Sequence, residues 1–191
     1  MKAWAIAALL MVVPAQKDAG AAAAGLASAD PAVRARSACE LRDLGSGAAP
    51  LLARLTAMLD DGSPVDAAVC GDRTWRRGNQ DVTTAPGEQA ASALVAIGAP
   101  AQGSLMKTLS APAWIARRNA AWALGALNTS EAVPALIEAL KDTDAGVREQ
   151  VAWALGAIGD RRAVDGLIGA LGDTAGGVRK QSAWALGAIG G

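Results

Sequence analysis

Few side chains in this sequence are equipped for catalysis, and their types narrow what the protein can do. The 191 residues include no His, Tyr or Phe. Without His there is no Ser-His-Asp or Cys-His relay and no His-ligated metal site. The two cysteines, Cys39 and Cys70, fall short of a four-ligand zinc set, and no imidazole stands by to activate Cys70. They read either as one disulfide, as an even count in an exported chain suggests, or as a small core residue and a free thiol. No catalytic constellation, metal or cofactor is expected. Side chains suited to recognition are more orderly. Trp122, Trp153 and Trp184 form one column, and Asn119, Gln150 and Gln181 a second, each with a 31-residue step. A third column, Glu88, Arg118, Glu149 and Lys180, alternates in sign and reads as an exposed salt-bridge ladder. Rigid indoles flanked by amides suit the anchoring of a peptide, a sugar or another helix. Alternatively, each indole lies over the small residues of the neighbouring unit and closes a seam.

The columns follow from an internal repeat, which the elements must reproduce in space. Ala121-Trp122-Ala123-Leu124-Gly125-Ala126-Leu127 recurs as Ala152-Trp153-Ala154-Leu155-Gly156-Ala157-Ile158 and again as Ala183-Trp184-Ala185-Leu186-Gly187-Ala188-Ile189. Weaker copies start near Ala93 and Val33. Each unit reads as two helices. Ser130 is placed to cap one with Val133, Leu136, Ile137 and Leu140 on its stripe. Asp144 is placed to cap the next, with Val147, Val151, Leu155 and Ile158 on one face and Gly159 ending it. Neither stripe is buried by its own helix, so units must stack. With Leu155 toward the core, 100° per residue puts Val147, Val151, Ala152, Ala154 and Ile158 inside. Glu149, Gln150, Trp153 and Ala157 fall on the opposite half. Arg34, Arg117, Arg148 and Arg179 also recur, and read as structural bonds to loop carbonyls and to Asp142 or Asp173.

The pattern Val-Arg-x-x-x-Ala-Trp-Ala-Leu-Gly-Ala-Ile-Gly, with Asp142 or Asp173 before it, resembles the HEAT-like repeats of the phycobilin-lyase type. The resemblance covers residues 99–191 strongly, 30–60 and 86–98 less so, and 61–85 not at all. It implies an all-α fold, a right-handed α-solenoid of helical hairpins whose second helices line a concave binding surface. Its hydroxylase members hold iron with His-Glu motifs, which a chain without His cannot supply. Its bilin lyases act on a chromophore inside the cell, at odds with export.

Residues 1–15 read as a signal peptide: Lys2, an apolar run over 3–13, then Val13-Pro14-Ala15 before Gln16. A buried core helix is the alternative. The run is short of the roughly 20 residues a membrane span needs, so stable membrane insertion is not expected. Residues 16–29 read as an Ala-rich helical segment, and 30–191 as the repeat domain with a loop insertion at 61–85. That insertion is rich in Gly, Pro and Asp and carries Trp75, Arg76 and Arg77. It reads as a binding loop or a solvated one. Lys+Arg and Asp+Glu both number 18, so no basic field points at nucleic acid. The final repeat copy stays apolar to its end, with three readings: a piece of a longer array, end-to-end self-association, or an exposed end made tolerable by small residues.

The resulting expectation is an exported, periplasmic or secreted scaffold without catalytic activity, binding a protein or peptide on its concave face. Its candidate contacts are Trp122, Trp153, Trp184, Asn119, Gln150, Gln181, Trp75, Arg76 and Arg77. The competing classes are a lyase-like or oxidoreductase-associated enzyme or enzyme accessory, and a glycan- or peptidoglycan-binding module.

Overall fold

The computed structural model describes residues 19–71 and 83–190. Among them five helix pairs follow one another along the chain. The first pair is α1 (Ala19–Gly25) and α2 (Pro31–Leu44), so the Ala-rich segment supplies a leading helix. The second leads with α3 (Leu52–Ala57) and trails with α4 (Pro86–Ile97). The third pairs α5 (Gln102–Thr108) with α6 (Trp114–Ala126), and the fourth α7 (Val133–Ala139) with α8 (Ala145–Ile158). The fifth pairs α9 (Val164–Ala170) with α10 (Gly176–Gly190). α10 packs on α8, α8 on α6, α6 on α4 and α4 on α2. The trailing helices thus form one layer and the leading helices cover its other side, an all-α solenoid.

Local chemistry sets the helix limits. Asp30 and Asp144 accept from the N–H groups of Ala32 (2.8 Å) and Val147 (3.0 Å), quenching orphan donors at the starts of α2 and α8. Gly159, at φ 72°, ends α8 in the left-handed region that disfavours a side chain. Ser130 does not cap α7. It opens a tight 3-10 turn, in which Ala132 N–H donates to Thr129 O at 3.2 Å, and α7 starts only at Val133. The face assignment holds: Val147, Val151, Ala152, Ala154 and Leu155 have no exposure, while Glu149 and Ala157 are exposed.

Neighbouring units meet without room for a methyl group. A Cβ on Gly125 would lie 2.7 Å from Ala154 Cα and 2.8 Å from Trp153 Cζ3; one on Gly156 would lie 2.7 Å from Ala185 Cα and 2.6 Å from Trp184 Cζ3. Each indole therefore rests an edge on the glycine of the preceding unit, as the seam reading requires. The glycines let α6, α8 and α10 approach at the short end of the helix-packing range, roughly 8 Å.

A second inter-unit device is electrostatic. Arg34 Nε donates to Asp61 Oδ2 (2.6 Å), Arg117 grips Asp142 through two nitrogens (2.6 and 2.8 Å), and Arg148 grips Asp173 likewise (2.7 and 2.8 Å). Each arginine also donates to two carbonyls of its own helix-connecting loop, such as Asp142 O and Thr143 O for Arg148. Forked, charge-assisted bonds of this kind fix geometry as well as add energy. Arg148 and the N–H of Ala175 hold the Asp173 carboxyl down at about 2. For Asp61 and Asp142 burial pushes upward, but the arginine and loop N–H bonds outweigh it and the net shift is down. The ladder skips one junction. Gly87 stands where α4 would carry the arginine and Ala111 where the next loop would carry the aspartate, so both partners are absent together.

The segment read as a plain loop contains structure. β1 (Val65–Asp66) pairs antiparallel with β2 (Thr83–Thr84), Val65 opposite Thr84 and Asp66 opposite Thr83. A short 3-10 turn, Ala67–Cys70, follows β1, and Cys70 is joined to Cys39 of α2 in a disulfide with Cα atoms 5.6 Å apart. Two expectations, the export segment at 1–15 and the contact residues Trp75, Arg76 and Arg77, lie outside the described residues.

Candidate functional groove

A groove of about 610 Å³ runs along the trailing-helix layer. Its wall is built by α4, α6, α8 and α10 because these helices turn their non-core faces the same way. Trp122, Trp153, Gln150, Gln181, Glu149 and Arg118 line it, with Thr84 of β2 at one end. That end is bounded by the insertion. Gln89 donates to Thr84 Oγ1 (2.9 Å), Thr84 donates to Glu88 (3.0 Å), and the Cys39–Cys70 bond ties the insertion to α2.

The predicted columns do not all serve the groove alike. Trp122 and Trp153 are half-buried in the groove wall, while Trp184 is 48% exposed and lies outside the groove lining. Trp153, with one edge on Gly125, therefore does both of the things between which the sequence left a choice. Gln150 and Gln181 carry no side-chain bond among the described residues and are half-buried in the wall. Asn119 is different. It is 4% exposed, and its Nδ2 donates to Leu59 O at 2.9 Å. Its amide is spent holding the end of the second pair's leading segment, beside Gly87, whose N–H bonds Asp61 O at 2.9 Å. Asn119 contributes packing at the groove floor rather than a free contact group.

The charge column is a ladder at one rung only. Arg118 donates to Glu88 at 2.8 Å, but Glu149 and Lys180 pair with no described residue. The Glu149 carboxylate instead leans over the start of α10, where Gly177 leaves it space.

Trp114 escaped the sequence reading. It is 44% exposed at the start of α6, with the Arg118 guanidinium 5.6 Å from its ring centroid, next to the insertion. It has no counterpart one repeat on, where Ala145 and Gly176 stand, so periodicity could not flag it. Exposed aromatic character beside a cation was the available signal.

At the other end of the layer, Arg179 bonds its own loop carbonyls, Asp173 O and Thr174 O, and nothing lies within 4 Å of where a Gly187 Cβ would be. A second copy stacking end to end would bring its first pair to these seats. That pair offers Ser28 at the aspartate position and disulfide-bound Cys39 at the indole position. Neither reproduces the contact that Asp173 and Trp184 make with the preceding unit.

Residues 103–187 match the family model for HEAT repeats. Among solved structures, the CpcE–CpcF complex of phycocyanin lyase from Nostoc sp. PCC7120 contains a chain 26% identical, covering 97% of this chain and 70% of its own, with a TM-score of 0.61. Yeast importin-β (Kap95p) is similar at 15% identity over 89% of this chain and 25% of its own, TM-score 0.57. Human deoxyhypusine hydroxylase is similar at 20% identity over 90% and 73%, TM-score 0.51. These last two likenesses concern the fold alone. No curated protein matches the sequence significantly.

Proposed function

We propose that this HEAT-repeat solenoid is an exported docking scaffold without catalytic activity, holding a segment of a partner protein in its trailing-helix groove. One observation carries the reading: the groove presents the half-buried indoles of Trp122 and Trp153 and two amides, Gln150 and Gln181, that bond no side chain or backbone group among the described residues. Partly exposed amides on fixed helices exchange their water for the polar groups of an incoming chain. Aromatic groups on rigid helices give large contact area at little entropy cost. The disulfide between Cys39 and Cys70 supports export, because such bonds persist in oxidising compartments.

The similarity to a subunit of the CpcE–CpcF complex over 97% of the chain favours a second reading, an accessory subunit working with another helical-repeat chain. Both readings use a protein partner, and a co-purification separates them from a glycan-binding role. Tagged protein recovered from the exported fraction is compared with Gln150→Ala/Gln181→Ala and Trp153→Ala variants by mass spectrometry. A protein retained by the parent and lost from both variants is the expected result. A partner retained equally by all three, or purified glycan binding lost in the variants, refutes the docking reading.

A further inference from the structure

We propose that the outer face of the last helix pair seats a helical hairpin of a partner chain, one that carries an Asp in its inter-helix loop and a Trp eleven residues on. This surface lies apart from the groove, so the inference does not rest on the groove's reading. The fold applies the same rule at two of its own junctions. Arg117 and Gly125 receive Asp142 and Trp153, and Arg148 and Gly156 receive Asp173 and Trp184. In each seat the arginine stands eight residues before the glycine; in each occupant the aspartate stands eleven before the indole. Arg179 and Gly187 repeat the seat, again eight residues apart.

Nothing among the described residues fills this third seat. Arg117 and Arg148 divide their donors alike: Nη1 bonds two loop carbonyls, while Nε and Nη2 hold the carboxylate. Arg179 spends Nη1 in the same way, on Asp173 O and Thr174 O, and its other two nitrogens meet no described carboxylate. A Cβ on Gly187 would meet nothing within 4 Å, where one on Gly156 would strike Trp184. The leading helices agree. Ile137 and Leu140 of α7 are covered by α9, since a Cβ on Gly166 would lie 3.5 Å from Ile137 and 3.1 Å from Leu140. Their counterparts one repeat on, Ile168 and Leu171, are 54% and 41% exposed, against 9% for Leu140. Clustered exposed apolar groups mark an interaction surface, and a guanidinium fork beside them selects a carboxylate. A second copy of this chain does not supply it, because its first pair offers Ser28 and disulfide-bound Cys39 at the two positions. The fitting partner carries Asp and Trp there, with a small residue seven before the Asp, as Gly166 stands to Asp173.

The test has two arms, both on the full disulfide-bonded chain. In the first, a further copy of residues 161–191 is joined after Gly191, which sets an aspartate and an indole 31 residues beyond Asp173 and Trp184. The lengthened chain is expected to melt at least about 3 °C above the same extension bearing Asn and Ala at those two positions. Equal melting overturns the seat. In the second, a photoreactive amino acid at Gly187, where the fold leaves open space, is irradiated in cells that make the protein. The expected adduct is a different protein, crosslinked in a helix that carries Trp eleven residues after an Asp. Arg179→Asp is expected to cut its yield at least about tenfold, and exchange of the partner's Asp for Arg to restore it. Gly187→Leu, with the photoreactive residue moved to Leu171, occupies the slot without disturbing the fold and should cut the yield alike. No adduct, an adduct with a second copy, one without that spacing, or one indifferent to both variants overturns the inference. Gln150→Ala/Gln181→Ala should leave the adduct intact; an adduct lost with those amides belongs to the groove and overturns it as well.

Discussion

Gly125, Gly156 and Gly187 occupy the same place in three copies of one motif, yet replacing them by Ala should move stability in different directions. In an unobstructed helix interior, Gly to Ala stabilises by roughly 0.5–1 kcal/mol, since Ala gives up less backbone entropy. At Gly156 the new Cβ would sit 2.6 Å from Trp184 Cζ3 and 2.7 Å from both Ala185 Cα and Cβ. Carbon atoms pack at about 3.5–4.0 Å, so α10 must retreat from α8 by about 1 Å. Part of that contact is backbone, which cannot swing aside. Overpacking of this kind costs about 1–3 kcal/mol. Against the propensity gain, the net loss is about 0–2.5 kcal/mol, a Tm lower by up to about 10 °C for a chain of this size. Gly125→Ala meets Ala154 and Trp153 at 2.7–2.9 Å and should behave alike. Gly187 has nothing within 4 Å, so Gly187→Ala should leave Tm unchanged or raise it by a degree or two. Thermal melts followed by circular dichroism decide. Equal losses at all three positions, or a gain at Gly156, would refute the seam.

Three further outcomes are expected. Reducing the Cys39–Cys70 bond, or replacing both cysteines by Ser, removes a constraint on residues 31 apart, costing about 3–4 kcal/mol on the chain-entropy account; urea melts with and without reductant measure it. Asp142→Ala leaves Arg117, 13% exposed at its side chain, without its carboxylate and should cost about 2–3 kcal/mol by denaturant melts. Acid should dissolve the ladder: with Asp173 held at about 2 against 3.8 unfolded, its contribution is intact above pH 4 and lost as pH falls from about 4 to about 2. Asp173→Asn should flatten that part of a stability-versus-pH curve, and an unchanged curve would contradict the assignment.

The repeat was legible because stacking forces periodicity into the sequence. Val147 recurs as Val178 and Leu155 as Leu124 and Leu186 where the core needs them, and Trp153 recurs as Trp122 and Trp184 where the core does not. What resisted reading was set by contacts between units. An indole at Trp153 serves a seam or a groove equally well in one dimension; only the glycine of the neighbouring unit shows that it does both. Asn119 matched Gln150 by position, but the chain preceding the insertion delivers Leu59 O to it and buries it. Gly87 and Ala111 look unremarkable separately, and their shared loss of the Arg–Asp rung emerges only when consecutive units are superposed. Trp114 stands outside the period altogether.

The groove's role is tested most directly by photo-crosslinking in cells that make the protein. A photoreactive amino acid is placed at Gln150, in the groove wall, and separately at Glu138, exposed on the leading helix α7. A docking scaffold predicts a discrete protein adduct from position 150 and none from 138. Adducts from 138 alone, or in equal measure from both, would contradict the groove as the docking site.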